Sequence, residues 1–472
     1  MAEGISELIE AACARWPDRV AVHDARGEAI LFRSFFAVLL GVAEHARDLG
    51  IGARDVVAIR MVDATAGMVL RLALLRIGAI VVAAERDDVL AAHGVTPAFV
   101  LFDDTPPDTA RPGVRHVHVD QDWIRPPRGP VPITPGGQLV RATSGTTGLP
   151  RLWAYPETVI AARLMRSARL RGPATGPSFV GYGANASAAV NHFIASLLAG
   201  MPVVQRRATL EASYEAMDRL GVVDAFLSPY SFNALLGIAE ALDRPPALAR
   251  IVVGGGGVHP EIALRAEAAF GCPVFNSYGS SETGSIAMIR VTEAADTPGL
   301  VGRPHEGIEI AFRNHPGVEG AEILVRSPPE VRVTRYPDGA PSGDAEGWVA
   351  TGDIGHLDGE GRLVLQGRVH DLLNVGGVKR APGWFETIAL GFPGIRQVAA
   401  FALPDGTGTD AVGLAVVAPD DFDLHRFARY MHDRLGPVFP LRIGQVDDVT
   451  SSAGGKVDRR ALCEAFMSAG QV

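Results

Sequence analysis

The chain runs to 472 residues, 47% of them hydrophobic and 21% charged, with a formal net charge of −9. That composition supplies a large buried core and roughly three domain-sized units as the prior; acids and bases are mixed along the chain with no basic block, which excludes nucleic acid as a partner. Cys13, Cys272 and Cys463 lack metal-site or disulfide-framework spacing, no apolar run reaches the roughly 20 residues of a membrane-spanning helix, and the first residues show no cationic-then-apolar leader, so a cytoplasmic protein without a membrane partner is expected.

Apolar spacing at the helical period predicts a helix over 5–15. Short strands follow over 20–22 and 29–32, joined by a turn at 24–27. A helix over 35–49 ends at Gly50. A buried strand over 56–60 leads to a helix reaching about Ile77, and strands over 79–83 and 99–102 continue the pattern. Alternating strands and helices predict a mostly parallel sheet covered by helices. The Pro-rich stretch 126–135 reads as a connector between subdomains, and 138–142 as the next strand. Helices are expected over 156–169, 188–199, 210–220 and 260–270, with strands over 202–204, 225–227 and 251–253. From about Gly299 the texture becomes β-rich, and after Arg368 a smaller α+β unit runs on.

The densest chemistry sits behind the strand over 138–142, in Thr143-Ser-Gly-Thr-Thr-Gly-Leu-Pro-Arg151. Glycines let a backbone fold tightly and bring its N–H groups close to a ligand. With the hydroxyls as further donors, such a loop wraps the oxygens of a polyphosphate. It is not a Walker loop, because only two residues separate Gly145 from Gly148 and no Gly-Lys-Ser/Thr follows.

In content and order this stretch resembles the phosphate loop of the adenylate-forming superfamily, which holds acyl- and aryl-CoA synthetases, peptide-synthetase adenylation domains and luciferases. The resemblance implies that Thr143, Ser144, Gly145, Thr146, Thr147 and Gly148 cradle the ATP phosphates. Arg151 stands where the family usually has Lys, keeping the charge but replacing a compact ammonium with a planar fork. Asn276-Ser-Tyr-Gly-Ser-Ser-Glu-Thr-Gly284 alone reads as a solvated turn; it resembles the family's Tyr-Gly-x-Thr-Glu element. By that resemblance Tyr278 stacks on adenine, Ser281 keeps the hydroxyl of the usual Thr, and Glu282 is a catalytic carboxylate holding Mg²⁺, an ion that prefers such ligands.

Gly347-Trp-Val-Ala-Thr-Gly-Asp353 alone reads as an Asp-containing turn. It looks like the family's Thr-Gly-Asp, which implies that Asp353 accepts from both ribose hydroxyls. Gly367-Arg-Val-His-Asp-Leu-Leu-Asn-Val-Gly-Gly377 resembles the family's junction between large and small domains. Arg368 is then expected to reach the ribose or phosphate, the hinge to fall at His370, and Gly376 and Gly377 to line a thiol tunnel. A histidine there is either a pH-sensitive hinge or an ordinary linker residue. Ser452-Ala-Gly-Gly-Lys-Val-Asp-Arg-Arg460 resembles Gly-Lys-(Val/Ile)-Asp-Arg, which makes Lys456 the catalytic lysine, contacting the acid's carboxylate and the α-phosphate.

Amino-acid-activating relatives place an Asp between the positions of Gly181 and Gly200 to bind the substrate ammonium; this chain has none there. Asn185 falls where aryl-acid-activating relatives carry Asn. The implied acyl pocket comprises Asn185, His192, Gly255 and Gly256, and the implied substrate is an aryl or other non-amino acid. The fold implied is α/β: a large N-terminal domain of layered sheets and helices with a β-rich subdomain (1–367), a hinge (368–371), and a small mobile α+β lid (372–472) carrying Lys456. The implied reaction uses ATP and Mg²⁺ to make an acyl-adenylate from a small carboxylic acid. The acyl group then passes to a thiol, of CoA or of a phosphopantetheine on a carrier protein acting in trans. An enzyme with a non-thiol acceptor such as an amine, or a non-catalytic nucleotide-binding relative, are the alternatives.

Overall fold

The computed structural model describes residues 3–83, 87–104, 113–143, 151–171, 176–183, 186–242, 245–315, 320–369, 371–375, 378–404, 410–435, 439–449 and 457–468. Two large sheets dominate. In the first, the parallel strands Gln138–Thr143, Ile80–Ala83, Val56–Arg60, Phe99–Phe102 and Arg115–His118 lie side by side in that order, and Arg151–Pro156 and Thr334–Arg335 extend the Gln138–Thr143 edge antiparallel. In the second, Val274–Ser280, Arg250–Gly254, Asp224–Leu227, Ser178–Val180, Val203–Gln205 and Val20–His23 are parallel neighbours. Gly284–Arg290 and Ala29–Leu31 close its two edges antiparallel. Parallel strands are covered on both faces, so they read as continuous apolar runs. The largest buried cluster draws on both sheets, through Val22, Val57, Leu139, Tyr155 and Val180, and on the helices Ile5–Arg15, Phe32–Asp48, Ala64–Arg76 and Ser187–Leu198.

Two expectations are corrected. The helix predicted from residue 35 begins at Phe32, because Leu31 is already extended and both Phe32 and Phe35 turn inward to full burial. The Pro-rich stretch 126–135 does not join subdomains. It links two strands of one sheet, Arg115–His118 and Gln138–Thr143, and is pinned on the way. Arg76 Nε donates to the Val131 carbonyl at 2.8 Å. A Cβ on Gly41 would lie 1.6 Å from the Arg125 carbonyl oxygen, so the helix Phe32–Asp48 can pass beneath the segment only with glycine there.

The β-rich region is a five-stranded antiparallel sheet in the order Leu300–Gly302, Leu363–Arg368, Trp348–Leu357, Ala321–Arg326, Glu309–Asn314. Glu322 is its polar keystone. The buried carboxylate accepts from Arg313 (Nη2, 2.6 Å), from His315 (2.7 Å) and from the Gly352 N–H (3.1 Å). The C-terminal part is α+β: strands Gln397–Pro404, Asp410–Val417 and Leu441–Gln445 with helices Pro382–Leu390, Leu424–Leu435 and Arg459–Ser468. It has its own buried cluster around Phe385, Leu414 and Phe427.

The helix Glu157–Arg171 starts with a buried carboxylate. Glu157 Oε2 accepts from the Ser6 N–H at 2.8 Å and from the Ser6 hydroxyl, which ties it to the first turn of Ile5–Arg15. Burial pushes Glu157 up to about 7 from 4.5, against the pull of those two bonds. Glu322 goes the other way: burial acts to raise it, but the bonds from His315 and Arg313 outweigh that and hold it below the ordinary carboxylate value.

These opposite shifts predict opposite pH signatures. The folded Glu157 keeps a proton that the unfolded chain has released, so its contribution is complete below 4.5 and is lost as pH rises through about 7. Glu157→Gln should therefore gain in melting temperature relative to the parent between about pH 5 and about pH 8. For Glu322 the contribution is present above the ordinary carboxylate pKa and lost as pH falls through the depressed value. Glu322→Gln should cost about 1.5–3 kcal/mol at neutral pH, and that gap should close as melts are repeated toward about pH 3. Parallel melting curves for parent and variant across pH would refute either assignment.

Candidate active site

The strands of both large sheets end on edges where open α/β folds place ligands. Gln138–Thr143 and Arg151–Pro156 form a hairpin whose last pair is Thr143 with Arg151. The loop residues Ser144, Gly145, Thr146, Thr147 and Gly148 lie outside the described residues, but the hairpin fixes both their ends. Arg151 stands exposed at the base.

The second motif is more ordered than a solvated turn. Asn276 to Ser280 belong to the strand Val274–Ser280. The chain reverses at Ser281–Thr283 and returns as Gly284–Arg290. The reversal is closed internally: Ser280 Oγ lies 3.0 Å from Thr283 Oγ1, and the buried Ser327 hydroxyl donates to the Thr283 carbonyl at 3.1 Å. Ser281 and Glu282 sit at its tip, half-buried.

Asp353, too, lies in a strand rather than a turn, within Trp348–Leu357 and directly opposite Arg368. Gly352 before it has φ +74°, a left-handed conformation that glycine adopts without strain. The Gly352 N–H is held by Glu322, and the Asp353 N–H by Thr351 Oγ1 at 3.0 Å. The Asp353 carboxylate is thereby aimed at Tyr278, whose hydroxyl donates to Oδ2 at 2.8 Å, while Arg368 Nε donates to Oδ1 at 2.9 Å. Burial, reinforced by the Asp353 charge, pushes the Tyr278 phenol well up, so it remains a neutral donor. The structure thus brings Tyr278, Asp353 and Arg368 together, with Ser281 and Glu282 a few residues further along the same strand and turn.

The acyl-pocket candidates divide. Gly255 and Gly256 follow the strand Arg250–Gly254 in exposed positions, and the Gly256 carbonyl accepts from Asn276 Nδ2 at 3.0 Å. His192 is different: it is fully buried, its Nε2 is 2.6 Å from Ser178 Oγ, and its ring stacks on Phe226 at 4.9 Å and 20°. Its Nε2 therefore serves the interface between the helix Ser187–Leu198 and the sheet. Asn185 is outside the described residues, as are His370, Gly376, Gly377 and Lys456. The sequence reading missed Tyr182, whose hydroxyl lies 2.8 Å from the Leu227 carbonyl and 2.7 Å from that of Gly254, with its ring 5.0 Å from Phe226. A tyrosine flanked by Gly181 and Gly183 was the available signal. It also missed Ser285, 3.1 Å from His305 Nε2, the buried Arg141 and Tyr155, and the half-buried Arg163.

Among the described residues no three His, Cys, Asp or Glu side chains form a metal-ligand set, and no helix is long and apolar enough to cross a membrane. A lone carboxylate such as Glu282 suits Mg²⁺ bound to a nucleotide, since that ion takes most of its ligands from phosphates and water and needs one or two from protein.

Residues 139–333 match the AMP-binding enzyme family. The chain is 25% identical over 495 residues to a 4-chlorobenzoate–CoA ligase of an Arthrobacter species, covering 97% of this chain and 94% of that protein. Among solved structures it resembles the amide bond synthetase McbA of Marinactinospora thermotolerans, with a TM-score of 0.83 at 23% identity over 98% of this chain and 99% of that one. It also resembles the o-succinylbenzoate CoA synthetase (MenE) of Bacillus subtilis in complex with its acyl-adenylate intermediate, with a TM-score of 0.81 at 21% identity over 96% and 97%. The same layered α/β architecture runs through these structures, and within it residues 139–333 form the stretch that matches the AMP-binding enzyme family.

Proposed function

We propose that the protein is an ATP-dependent acid–thiol ligase that converts a carboxylic acid to its acyl-adenylate and passes the acyl group to a thiol. The observation that carries the reading is the convergence of Tyr278, Asp353 and Arg368 beside the Ser281–Glu282 turn. In this reading Tyr278 offers its ring to adenine, Asp353 accepts from the ribose hydroxyls, and Arg368 neutralises ribose or phosphate oxygens. The loop between Thr143 and Arg151 surrounds the phosphates. Glu282 holds Mg²⁺, which supplies charge neutralisation for the pyrophosphate leaving group.

The acid's carboxylate oxygen attacks the α-phosphorus, and the bond to pyrophosphate breaks. Lys456 holds the carboxylate and α-phosphate together as charge redistributes. The thiol sulfur then attacks the acyl carbon and AMP leaves. The chain is divided as 1–367 and 372–472, with residues 368–371 as the hinge and the Gly376–Gly377 pair on the thiol path. The relatives named for 4-chlorobenzoate and o-succinylbenzoate favour an aryl acid and CoA, and the missing Asp between Gly181 and Gly200 disfavours a free amino acid. A carrier-protein phosphopantetheine is the second thiol to test. The likeness to an amide bond synthetase makes an amine the non-thiol acceptor to include.

Acid-dependent ATP–pyrophosphate exchange over a panel of aryl, fatty and amino acids tests the first half-reaction; silence across the panel would count against it. Lys456→Ala should abolish exchange while leaving ATP binding nearly intact, and exchange at the parental rate would remove Lys456 from the mechanism. Asp353→Asn should weaken ATP binding about 10- to 100-fold, the value of one or two charge-assisted hydrogen bonds. Unchanged affinity would take the ribose away from Asp353.

A further inference from the structure

The two strands flanking the phosphate loop and the helix behind them carry a column of largely buried side chains that reaches the Ser281–Glu282 turn. Arg141, two residues before Thr143, donates from both Nη atoms to Asn191 Oδ1 at 3.2 Å, and its guanidinium lies 4.6 Å from the centre of the Tyr155 ring. Arg163 lies 5.3 Å from the same ring. The Tyr155 hydroxyl donates to the Ser281 carbonyl at 2.8 Å. Arg163 donates to three carbonyls: Ser281 (Nη1, 2.8 Å), Glu282 (Nη2, 2.6 Å) and Val331 (Nε, 2.8 Å).

This pattern is economical only as a clamp on the turn. The buried Tyr155 hydroxyl and one N–H of the half-buried Arg163 converge on one carbonyl, that of Ser281, and a second Arg163 N–H takes the next carbonyl along. Backbone carbonyls at a chain reversal have no ladder partner, and leaving them unpaired in a buried place costs roughly 1–3 kcal/mol each. A guanidinium presents several N–H groups in a fixed plane, so it sets the orientation of the turn as well as its distance; an ammonium has no such fork. Both clamping residues, Tyr155 and Arg163, belong to the segment that departs from the phosphate loop. Movement of the loop's strand and movement of the Glu282 turn are therefore tied together by side chains with no direct part in the chemistry. Burial lowers the pKa of Arg141 to about 10, which leaves it charged at neutral pH, and burial also moves that of Arg163 downward.

We infer that Arg163, assisted by Tyr155, is a positioning residue that fixes the Ser281–Glu282 turn against the phosphate-loop strand and so sets the Glu282 carboxylate for the metal of Mg·ATP. The inference rests on the reading of Glu282 as the Mg²⁺ carboxylate. The test measures equilibrium ATP binding by calorimetry, with and without Mg²⁺, on the parent, Glu282→Gln, Arg163→Lys and Tyr155→Phe. The parent should bind ATP more tightly with Mg²⁺, and Glu282→Gln should lose that gain. Arg163→Lys should weaken Mg·ATP binding about 10-fold, the low end for loss of a residue supporting a metal ligand, with metal-free ATP bound as in the parent. Tyr155→Phe removes one hydroxyl and keeps the ring, so it reports even if Arg163→Lys folds poorly; it should show a smaller loss in the same direction.

If Glu282→Gln loses the Mg²⁺ gain while Arg163→Lys and Tyr155→Phe keep it, the inference fails and the reading of Glu282 stands. Equal weakening of ATP binding with and without metal would mean a merely structural role and would also overturn it. If Glu282→Gln itself keeps the gain, the reading of Glu282 fails and takes the inference with it.

Discussion

One carboxylate joins the two β-systems that build the site. Asp353 belongs to the five-stranded antiparallel sheet, Tyr278 to the eight-stranded, mainly parallel one, and the hydrogen bond between them is 2.8 Å. Arg368, on the neighbouring strand, takes the other oxygen. Bonds to an ionised acceptor are roughly twice as strong as neutral ones, and here the acceptor is nearly buried. Its aim is set from behind by Thr351, which donates to the Ile323 carbonyl at 2.9 Å, and by Glu322, which holds the Gly352 N–H. The placement of a strand pair from one sheet against the strand end of another thus combines this charged contact, backed by a second buried carboxylate, with the apolar cluster of Ile286, Ala287, Ile323, Val325 and Leu363.

What the sequence disclosed follows from how local the causes are. Val56–Arg60, Arg250–Gly254 and the helix Pro260–Phe270 were legible because two-sided burial makes parallel strands continuous apolar runs and Pro260 and Gly271 mark the two ends of that helix. Read alone, the segments of Tyr278 and Asp353 look like turns; pairing with strands on both sides, Arg250–Gly254 and Gly284–Arg290 for the first and Ala321–Arg326 and Leu363–Arg368 for the second, makes them extended. The Pro-rich stretch read as a linker because its anchors, Gly41 and Arg76, lie far off in sequence.

The same distinction runs through the site. Contiguous motifs named Tyr278, Glu282, Asp353 and Arg368, and the structure brings three of them into one hydrogen-bonded set. Arg141, Tyr155 and Arg163 were illegible because their partners lie tens to more than a hundred residues away; from the sequence, Arg163 was one more arginine on a helix. His192 had the opposite fate. Its type suggested a polar pocket group, but the Ser178 hydroxyl and the Phe226 ring use both its nitrogen and its face.

On the proposed reading, Asp353 also has capacity left for a nucleotide. A carboxylate offers about four lone-pair sites, and Tyr278 and Arg368 occupy one on each oxygen. Two ribose hydroxyls can therefore be accepted without displacing either donor, so the preorganised arrangement need not be taken apart on binding. Arg368 gives this a further consequence, since it opens the segment proposed as the hinge. Just before it, Gly367 packs so closely on Ala381 that a Cβ there would lie 2.1 Å from the alanine methyl. On that reading, the carboxylate placed to accept from the ribose is also the ion-pair partner of the first residue of the proposed hinge, so nucleotide and hinge would meet at one charged group.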